Sequence, residues 1–521
     1  MEEYKVLITT SGIGSRLGDL TKYTNKSLVK VGKKPSISYI IDKYPIGVKF
    51  VITLGYYGNQ VREFLTLAYP HIQFEYVEVD NYSGEGSSLG LSMLSAKDKL
   101  QCPFIYHASD TIVIENIPKP ETNWVVGNNK KNTSQYRLID SQGKFKIFDK
   151  GQMEDLRLCY IGICGIKDYK LFWEELEKLY LDNPLNSELS DCDGINKMNK
   201  DFDILEFDTW IDVGSSSELK DARNIIDDKF KILDKIDESI FIYDEFVIKF
   251  FYNKEICSNR IKRCNYLNKL TPDLIDYTIN FYKYEYSNGD LFSDVVNEDL
   301  FLSFLEWSKN NLWIPREKKE DFKYKCIDFY FNKTKQRVEQ YLKQELENDT
   351  STKINGVYVP SIKTMLDSID KEWLCSNQPY QFHGDYILDN IICKNYNEFV
   401  LLDWRQDFAG ELEDGDIYYD LAKLNHNLIF NHDIINRKLY TIEIDNKNIQ
   451  CDLLCSKRLI DCQKVLYKFI LDNNFDKDKV EILTSIIWIN MSPLHERPLN
   501  KFLFNFGKFN LNKKINEKNN K

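Results

Sequence analysis

Apolar residues follow two rhythms along this chain. In the N-terminal part, short solid apolar runs alternate with stretches in which apolar residues recur every three or four positions. Residues 5–10 (KVLITT) predict a buried strand that ends in a glycine-containing turn. Residues 50–54 (FVITL) predict a second strand, and Val61, Phe64, Leu65 and Ala68 then recur at helical spacing within 55–68. A third strand is expected over 74–79, a helix over 89–100, and a fourth strand over 104–107, ending at Asp110. Strands and helices in that order predict an α/β fold with a mostly parallel sheet and right-handed crossovers. Residues 218–233 are charged and helical, and a domain boundary is expected at their end, near residue 233. Residues 239–251 read as two strands turning at Tyr243-Asp244-Glu245. Beyond Asp294 the pattern is mostly helical and rich in aromatics, with no internal repeat. The expected division is therefore 1–233, 234–510 and a Lys/Asn-rich tail, 511–521, that frays.

Composition narrows the function classes. With 43% hydrophobic and 29% charged residues the chain reads as ordinary globular protein, long enough at 521 residues for several folded units. A net charge of −11 argues against nonspecific nucleic-acid binding and against a basic membrane-surface helix. Anionic substrates stay allowed, because local cations, backbone amides and Mg²⁺ can hold them. The cysteines are scattered without a Cys-x-x-Cys, and Cys451, Cys455 and Cys462 read as buried thiols. A chain this long needs no disulfides, Met1 to Tyr4 runs straight into an apolar strand with no basic leader, and no run approaches the length of a membrane span. A cytoplasmic location without membrane insertion is expected.

Candidate chemistry sits at the ends of the predicted strands. After the first strand comes Ser11-Gly12-Ile13-Gly14-Ser15-Arg16, whose glycines allow close backbone approach and whose amides can cradle an anion. Arg16 and Lys26 add positive charge that suits phosphate. The run Gly12-x-Gly14-Ser15-Arg16-Leu17, followed by Thr24-Asn25-Lys26-Ser27-Leu28-Val29 and Lys34-Pro35, resembles the signature of the sugar-1-phosphate nucleotidyltransferases and the similar phosphocholine-type cytidylyltransferases. Asn25 stands where that family usually has proline. The resemblance continues to about residue 225. It implies that Ser11, Gly12, Gly14, Ser15, Gly86 and Ser87 bind nucleotide, that Asp110 and Asp212 (in Trp210-Ile211-Asp212-Val213-Gly214) hold Mg²⁺, and that Lys150 (in Phe148-Asp149-Lys150) seats the acceptor phosphate. Arg16 and Lys26 would then act on the leaving pyrophosphate.

A second constellation lies downstream. His383-Gly384-Asp385 is followed by Asn390 and, on an apolar run, by Asp403-Trp404. A loop aspartate, an asparagine five positions on and a later strand-borne aspartate match phosphotransferase machinery. The pattern resembles the aminoglycoside phosphotransferase and choline kinase family, which implies a bilobal protein-kinase-like α+β domain. Asp385 would be the base, Asn390 and Asp403 the Mg²⁺ ligands, Lys249 the ATP-binding lysine, and Glu285 and Tyr286 part of the hinge. Asp416 and Asp420 read as structural, and His383 as a loop organiser.

Together these resemblances imply a bifunctional enzyme. The C-terminal part would phosphorylate a small molecule with ATP. The N-terminal part would then join the product to a nucleotide from a second NTP, of unread base, and release pyrophosphate. A sugar is the preferred acceptor, giving an NDP-sugar for glycan or surface-polymer synthesis. The alternative is choline or another amino alcohol giving a CDP-linked product, for which Trp404, Tyr418 and Tyr419 with Glu411 and Glu413 could form a cage. A catalytically silent nucleotide-sensing scaffold is the reading of another class. Whether the chain forms a homo-oligomer is left open by the sequence.

Overall fold

The structure, a computed structural model, describes residues 4–129, 135–140, 145–151, 158–226, 235–445 and 448–520. The chain divides into two compact units, one of Met1–Cys257 with Ile275–Tyr286, the other of Ser258–Leu274 with Ser287–Lys521.

The first unit is built on a nine-stranded sheet. Lys5–Thr9, with Val6, Leu7 and Ile8 fully buried, pairs in parallel with Lys49–Leu54 on one side and Phe104–His107 on the other. Phe74–Glu78 adds a further parallel strand beside Lys49–Leu54 and forms an edge, which explains its half-exposed residues. These four strands are those the apolar runs predict. Beyond Phe104–His107 the sheet turns antiparallel through the long strand Leu158–Ile166, which also pairs with Trp124–Asn128 and Leu138–Asp140. The helix Gly58–Ala68 lays Val61, Phe64, Leu65 and Ala68 into the core, as their spacing requires. The 89–100 segment splits into Leu89–Ser95 and a short 3₁₀ turn, Lys97–Lys99.

The expected boundary near residue 233 lies outside the described residues, but apolar packing continues beyond it. Glu238–Ile242, Phe246–Phe251 and Phe281–Glu285 form an antiparallel sheet, with the turn at 243–245 as expected. Phe241, Ile248, Phe250 and Phe281 join the same core as Ile52, Val61 and Phe64. Phe64 meets Phe241 edge-on at 5.2 Å between ring centroids. Polar contacts add to this: Glu63 accepts from Asn280 N at 2.9 Å, and Lys283 Nζ donates to Leu67 O at 2.9 Å. Burying large aromatic side chains in one core makes these strands part of the first compact unit.

The second unit is mainly helical. Glu298–Asn311 starts on Asn297, whose side chain accepts from Leu300 N, and buries Leu300, Phe301, Phe304 and Leu305 on one face. Lys477–Met491 is apolar on most sides and correspondingly buried from Lys479 to Ile489. It packs on Ile417–Ile429 and on Leu499–Asn519. The last helix corrects the expected fraying of 511–521: it runs to Asn519, because Leu511 and Ile515 continue its apolar face into the core. Short antiparallel strands, Ile391–Lys394 and Glu398–Leu401, carry the chain from Asn390 to Asp403. Among the described residues no helix is long and apolar enough to cross a membrane. The cysteines are free thiols; Cys451 and Cys462 are buried, as expected, whereas Cys455 is only partly buried.

Candidate active sites

In the first unit, loops at the ends of the central strands enclose a cavity of about 390 Å³. Its walls include Ser11, Gly12, Arg16, Lys26, Ser87, Asp110, Lys150 and Asp212, so residues distant in sequence and singled out from it converge there. Sequence order alone could not bring them together; Ser11, Gly12 and Asp110 follow parallel strands, Lys26 starts a 3₁₀ turn, Lys150 follows an antiparallel strand and Asp212 lies in a short ribbon.

Asn25 is the organiser of this loop cluster. It is fully buried, its Nδ2 donates to Thr10 O at 2.8 Å and to Tyr56 O at 2.6 Å, and its Oδ1 accepts from Ser27 N at 2.9 Å and Ser27 Oγ at 2.8 Å. Proline could make none of these side-chain bonds, so the departure from the family pattern has a local structural account. Gly14 takes φ +71°, and a Cβ there would lie 2.7 Å from Lys26 Cβ. Glycine at 14 thus lets the Lys26 chain reach the cavity. Ser15 opens the 3₁₀ segment Ser15–Thr21 and is exposed. Gly86, at φ +78°, faces Pro184 O, and Ser88 caps the helix Leu89–Ser95 beside the cavity wall.

Asp110 and Asp212 are brought together by a two-residue ribbon. Thr111–Ile112 pairs antiparallel with Ile211–Asp212, and Val213 N donates to Asp110 O at 3.0 Å. Lys26 Nζ lies 3.3 Å from Asp110 Oδ2. Burial alone would raise the Asp110 pKa, but Lys26 and then Arg16 outweigh it and hold the carboxyl below its usual range. Gly214 keeps the space between these groups open. A Cβ on it would stand 3.1 Å from Asp212 Oδ1, 3.5 Å from Asp110 Oδ2 and 3.1 Å from the Arg16 guanidinium. Hard carboxylate oxygens with open space beside them suit Mg²⁺, which commonly takes one or two carboxylates and fills its remaining positions with phosphate and water. No group of three or more His, Cys, Asp or Glu that could hold a metal occurs among the described residues, so substrate phosphate and water would have to complete the shell. Lys150 has its pKa lowered by burial and by Arg16 and Arg137, which places it in a cation-rich wall.

The sequence did not single out several further wall residues: Arg137, Tyr106, Tyr136, Tyr160 and Asp191. Tyr160 donates to the buried Asp191 at 2.5 Å, and burial raises the Asp191 pKa. Arg137 Nε lies 3.2 Å from Asp149 Oδ1, which turns the acid of the 148–150 motif toward the wall rather than the reacting groups. These residues come from strands and loops with no motif, and their shared cavity is the signal.

Lys249 sits buried on Phe246–Phe251, opposite Ile240 and Tyr282. Glu285 ends its neighbouring strand, and Tyr286 N donates to Glu245 O at 2.9 Å.

In the second unit, Asp385, Asn390 and Asp403 come together around the loop 383–390. Asn390 Nδ2 donates to Asp385 O at 2.9 Å, and Leu402 N donates to Asn390 O at 2.8 Å. His383 is buried and organises the loop. Its Nδ1 accepts from Asp385 N at 3.3 Å, and its Nε2 lies 2.9 Å from Leu402 O. Burial pushes its pKa down to about 4. Asp420 fixes the same turn by accepting from His383 N at 2.8 Å and Gly384 N at 2.7 Å, and the buried Arg263 donates to His383 O at 3.2 Å and Leu412 O at 2.9 Å. Both candidate catalytic carboxylates carry cationic partners that sequence reading missed. Asp385 Oδ1 lies 2.6 Å from Lys423 Nζ, and Asp403 Oδ1 is paired with Arg260. Burial would raise the Asp385 pKa, but Lys423 overrides it and the pKa falls to about 2. Asn390 and Asp403 supply oxygens of the kind Mg²⁺ takes, with Arg260 as a competitor for one of them.

The aromatic and acidic cage considered for choline does not form. Trp404 is buried with Nε1 donating to Arg260 O at 2.8 Å, and Glu411 is taken by Lys319 at 3.2 Å and Lys325 at 3.1 Å.

No protein-family profile matches the chain, and no curated protein matches it. Solved structures do match its N-terminal part. The CTP:phosphocholine cytidylyltransferase of Streptococcus pneumoniae is 17% identical, with a TM-score of 0.38, over 43% of this chain and 100% of that one. A UDP-glucose pyrophosphorylase complexed with UDP-glucose is 18% identical, TM-score 0.36, over 43% and 98%. The UDP-glucose pyrophosphorylase of Acinetobacter baumanii is 16% identical, TM-score 0.35, over 43% and 92%.

Proposed function

We propose that the first unit transfers a nucleotidyl group from an NTP to a phosphorylated small molecule. The observation that carries this reading is the single cavity walled by Ser11, Gly12, Arg16, Lys26, Asp110, Lys150 and Asp212. An acceptor phosphate oxygen attacks the α-phosphorus, the bond from that phosphorus to the β-phosphate oxygen breaks, and pyrophosphate leaves with the electron pair. Lys150 holds the acceptor phosphate in line, while Arg16 and Lys26 neutralise the charge that builds on the leaving oxygens. Asp110, kept ionised by Lys26 and Arg16, is poised with Asp212 to hold Mg²⁺, which would supply further charge neutralisation at the α-phosphate.

The second unit, on this reading, makes that phosphorylated acceptor from ATP. Asp385 receives the proton of the acceptor hydroxyl as its oxygen bonds to the γ-phosphorus and ADP departs; Asn390 and Asp403 would hold Mg²⁺. What supports it is the convergence of these residues on one loop braced by His383, Asp420 and Arg263. Lys249, Glu285 and Tyr286, expected to bind ATP, lie in the first unit, so no role in the second unit's reaction is assigned to them. The preferred acceptor is a sugar, giving an NDP-sugar. A phosphorylated amino alcohol is the second reading for the first unit, favoured by the aromatic walls Tyr106, Tyr136, Tyr160 and Trp210 beside Asp191.

The test is a mass-spectrometric screen of the purified chain with Mg²⁺, ATP and each of CTP, GTP, UTP and dTTP. The acceptors are free and phosphorylated sugars and amino alcohols. A new NDP-linked mass from an unphosphorylated acceptor is the expected result. Absence of any product from phosphorylated acceptors would overturn the nucleotidyltransferase reading, and conversion of phosphorylated acceptors alone would leave the second unit without its proposed role.

A further inference from the structure

Beside Asp385, in the second unit, cations gather in excess of the acids near them. Lys333 and Arg337 lie four residues apart at the start of the helix Lys333–Glu345, on one face. Lys333 Nζ stands 4.2 Å from the centre of the Phe329 ring, and the Arg405 guanidinium stands 4.9 Å from the centre of the same ring. Lys423 joins the group through its 2.6 Å contact with Asp385 Oδ1. Each of these side chains is partly buried.

Their charges are not balanced locally. Among the described residues, Lys333, Arg337 and Arg405 have no carboxylate within 4.0 Å, whereas Lys423 is paired with Asp385. Arg337 bonds Gln340 Oε1 at 3.0 Å, and Arg405 Nε donates to a backbone carbonyl, Asp407 O, at 3.0 Å. The nearby acid, Asp407, accepts from Gly410 N at 3.1 Å. Burial is the main cause that drives the Lys333 pKa well down, and the charges of Arg405, Arg337 and Lys423 push it in the same direction. A ring face offsets such repulsion only weakly, by about 0.5–1 kcal/mol per exposed cation–π contact. An anion placed among the three would relieve it through charge-assisted hydrogen bonds, two of them from guanidinium forks that fit oxyanions.

We propose that the acceptor phosphorylated at Asp385 carries an oxyanion group, a carboxylate, phosphate or phosphonate, held by Lys333, Arg337 and Arg405. This rests on the kinase reading of the second unit and narrows its substrate class: neutral hexoses and choline are excluded, and a sugar or polyol with an acidic substituent is favoured. Lys423 stays with Asp385 and the other three cations hold the acidic substituent, so the reacting hydroxyl and the anionic end are bound by different groups.

The test uses the full chain and matched ligands without nucleotide. Calorimetric titrations compare glycerol with glycerate and glycerol 3-phosphate, glucose with glucuronate and glucose 6-phosphate, and include choline and ATP. They are run on wild type, on Arg337→Gln and on Lys333→Gln/Arg337→Gln, with unchanged melting temperature as the folding control. Because the first unit is unaltered in these variants, phosphate bound there cancels in the difference. The expected result is at least about ten-fold tighter binding of one or more anionic members than of their neutral partners, a preference lost in the double variant. The proposal is overturned if neutral or cationic ligands bind as well, if the variants leave the preference intact, or if they weaken ATP instead. ADP release with the same ligands, abolished by Asp385→Ala, separately tests the kinase reading. Anion binding that needs the cluster without any ADP would sink that reading while keeping the oxyanion site.

Discussion

The two candidate sites use carboxylates in opposite ways. In the first unit Asp110 and Asp212 face a glycine-lined gap, and the cation nearest Asp110, Lys26, stands off at 3.3 Å. In the second unit Asp385 is closed by Lys423 at 2.6 Å, and Asp403 is joined to Arg260. The first arrangement sets the Asp110 and Asp212 carboxylates around Gly214, where a metal bound to phosphate would have room to enter. The second holds Asp385 ionised through Lys423, and a cation at Asp403 must compete with a guanidinium already there. Asp110 and Asp385 are each kept charged by a paired lysine, Lys26 at 3.3 Å beside the cavity and Lys423 at 2.6 Å. The contrast suggests that the first site is organised around phosphates and metal, and the second around an acceptor.

Mutations can break this comparison, and the largest effects should come from the carboxylates. Asp110→Ala is expected to lower nucleotidyl transfer to a supplied phosphorylated acceptor by about 10²–10³-fold or more while sparing ADP formation. Asp385→Ala should lower ADP formation by about 10²–10⁴-fold and spare nucleotidyl transfer. Steady-state assays of both reactions on each folded variant check this, and loss of both from one change would refute separate sites. Next in size, Gly14→Val should displace Lys26, since the added side chain meets Lys26 Cβ in a backbone conformation unsuited to valine. We expect roughly a 10–100-fold loss of kcat for nucleotidyl transfer, comparable to weakening one electrostatic contact.

A smaller effect sharpens the structural side. Asn25→Ala orphans the carbonyls of Thr10 and Tyr56 and should cost about 1–3 kcal/mol, read by chemical denaturation. An effect of similar size concerns pH. Burial raises the Asp420 pKa from 3.8 to about 6, against the hydrogen bonds it receives from His383 N, Gly384 N and Trp313. A carboxyl whose folded pKa is raised binds its proton more tightly when folded. Its contribution therefore favours the folded state increasingly as pH falls from above 6 toward 4, and burdens it at pH 7. At about 1.4 kcal/mol per pKa unit, wild type should gain stability over that window relative to Asp420→Asn. Equal pH slopes in parallel melts would contradict it.

Much of the first unit was legible along the chain. Solid apolar runs at 5–9, 50–54 and 104–107 can only be satisfied inside a sheet, and the 61-64-65-68 spacing only on one helix face. The turn at 243–245 was equally local. Where the sequence misled, the cause was tertiary. Residues 511–519 look polar and ragged, yet Leu511 and Ile515 fall on the buried stripe of a helix. A boundary at 233 follows from a change in pattern, but Phe241 and Phe281 pack on Phe64.

The sequence by itself determined the strands and the helical faces through local periodicity, whereas Gly14, Lys26, Asp110 and Asp212 were picked out by a resemblance of motifs, and Asp385, Asn390 and Asp403 by their spacing together with a resemblance. Only the tertiary structure decided what stands beside them. Arg260 and Lys423 stand against the second unit's carboxylates, Arg137 and Asp191 in the first unit's cavity wall, and Lys333 and Arg405, from separate segments, meet over Phe329. Charge interactions depend on distance in space, and distance in space is set by packing rather than by position in the chain.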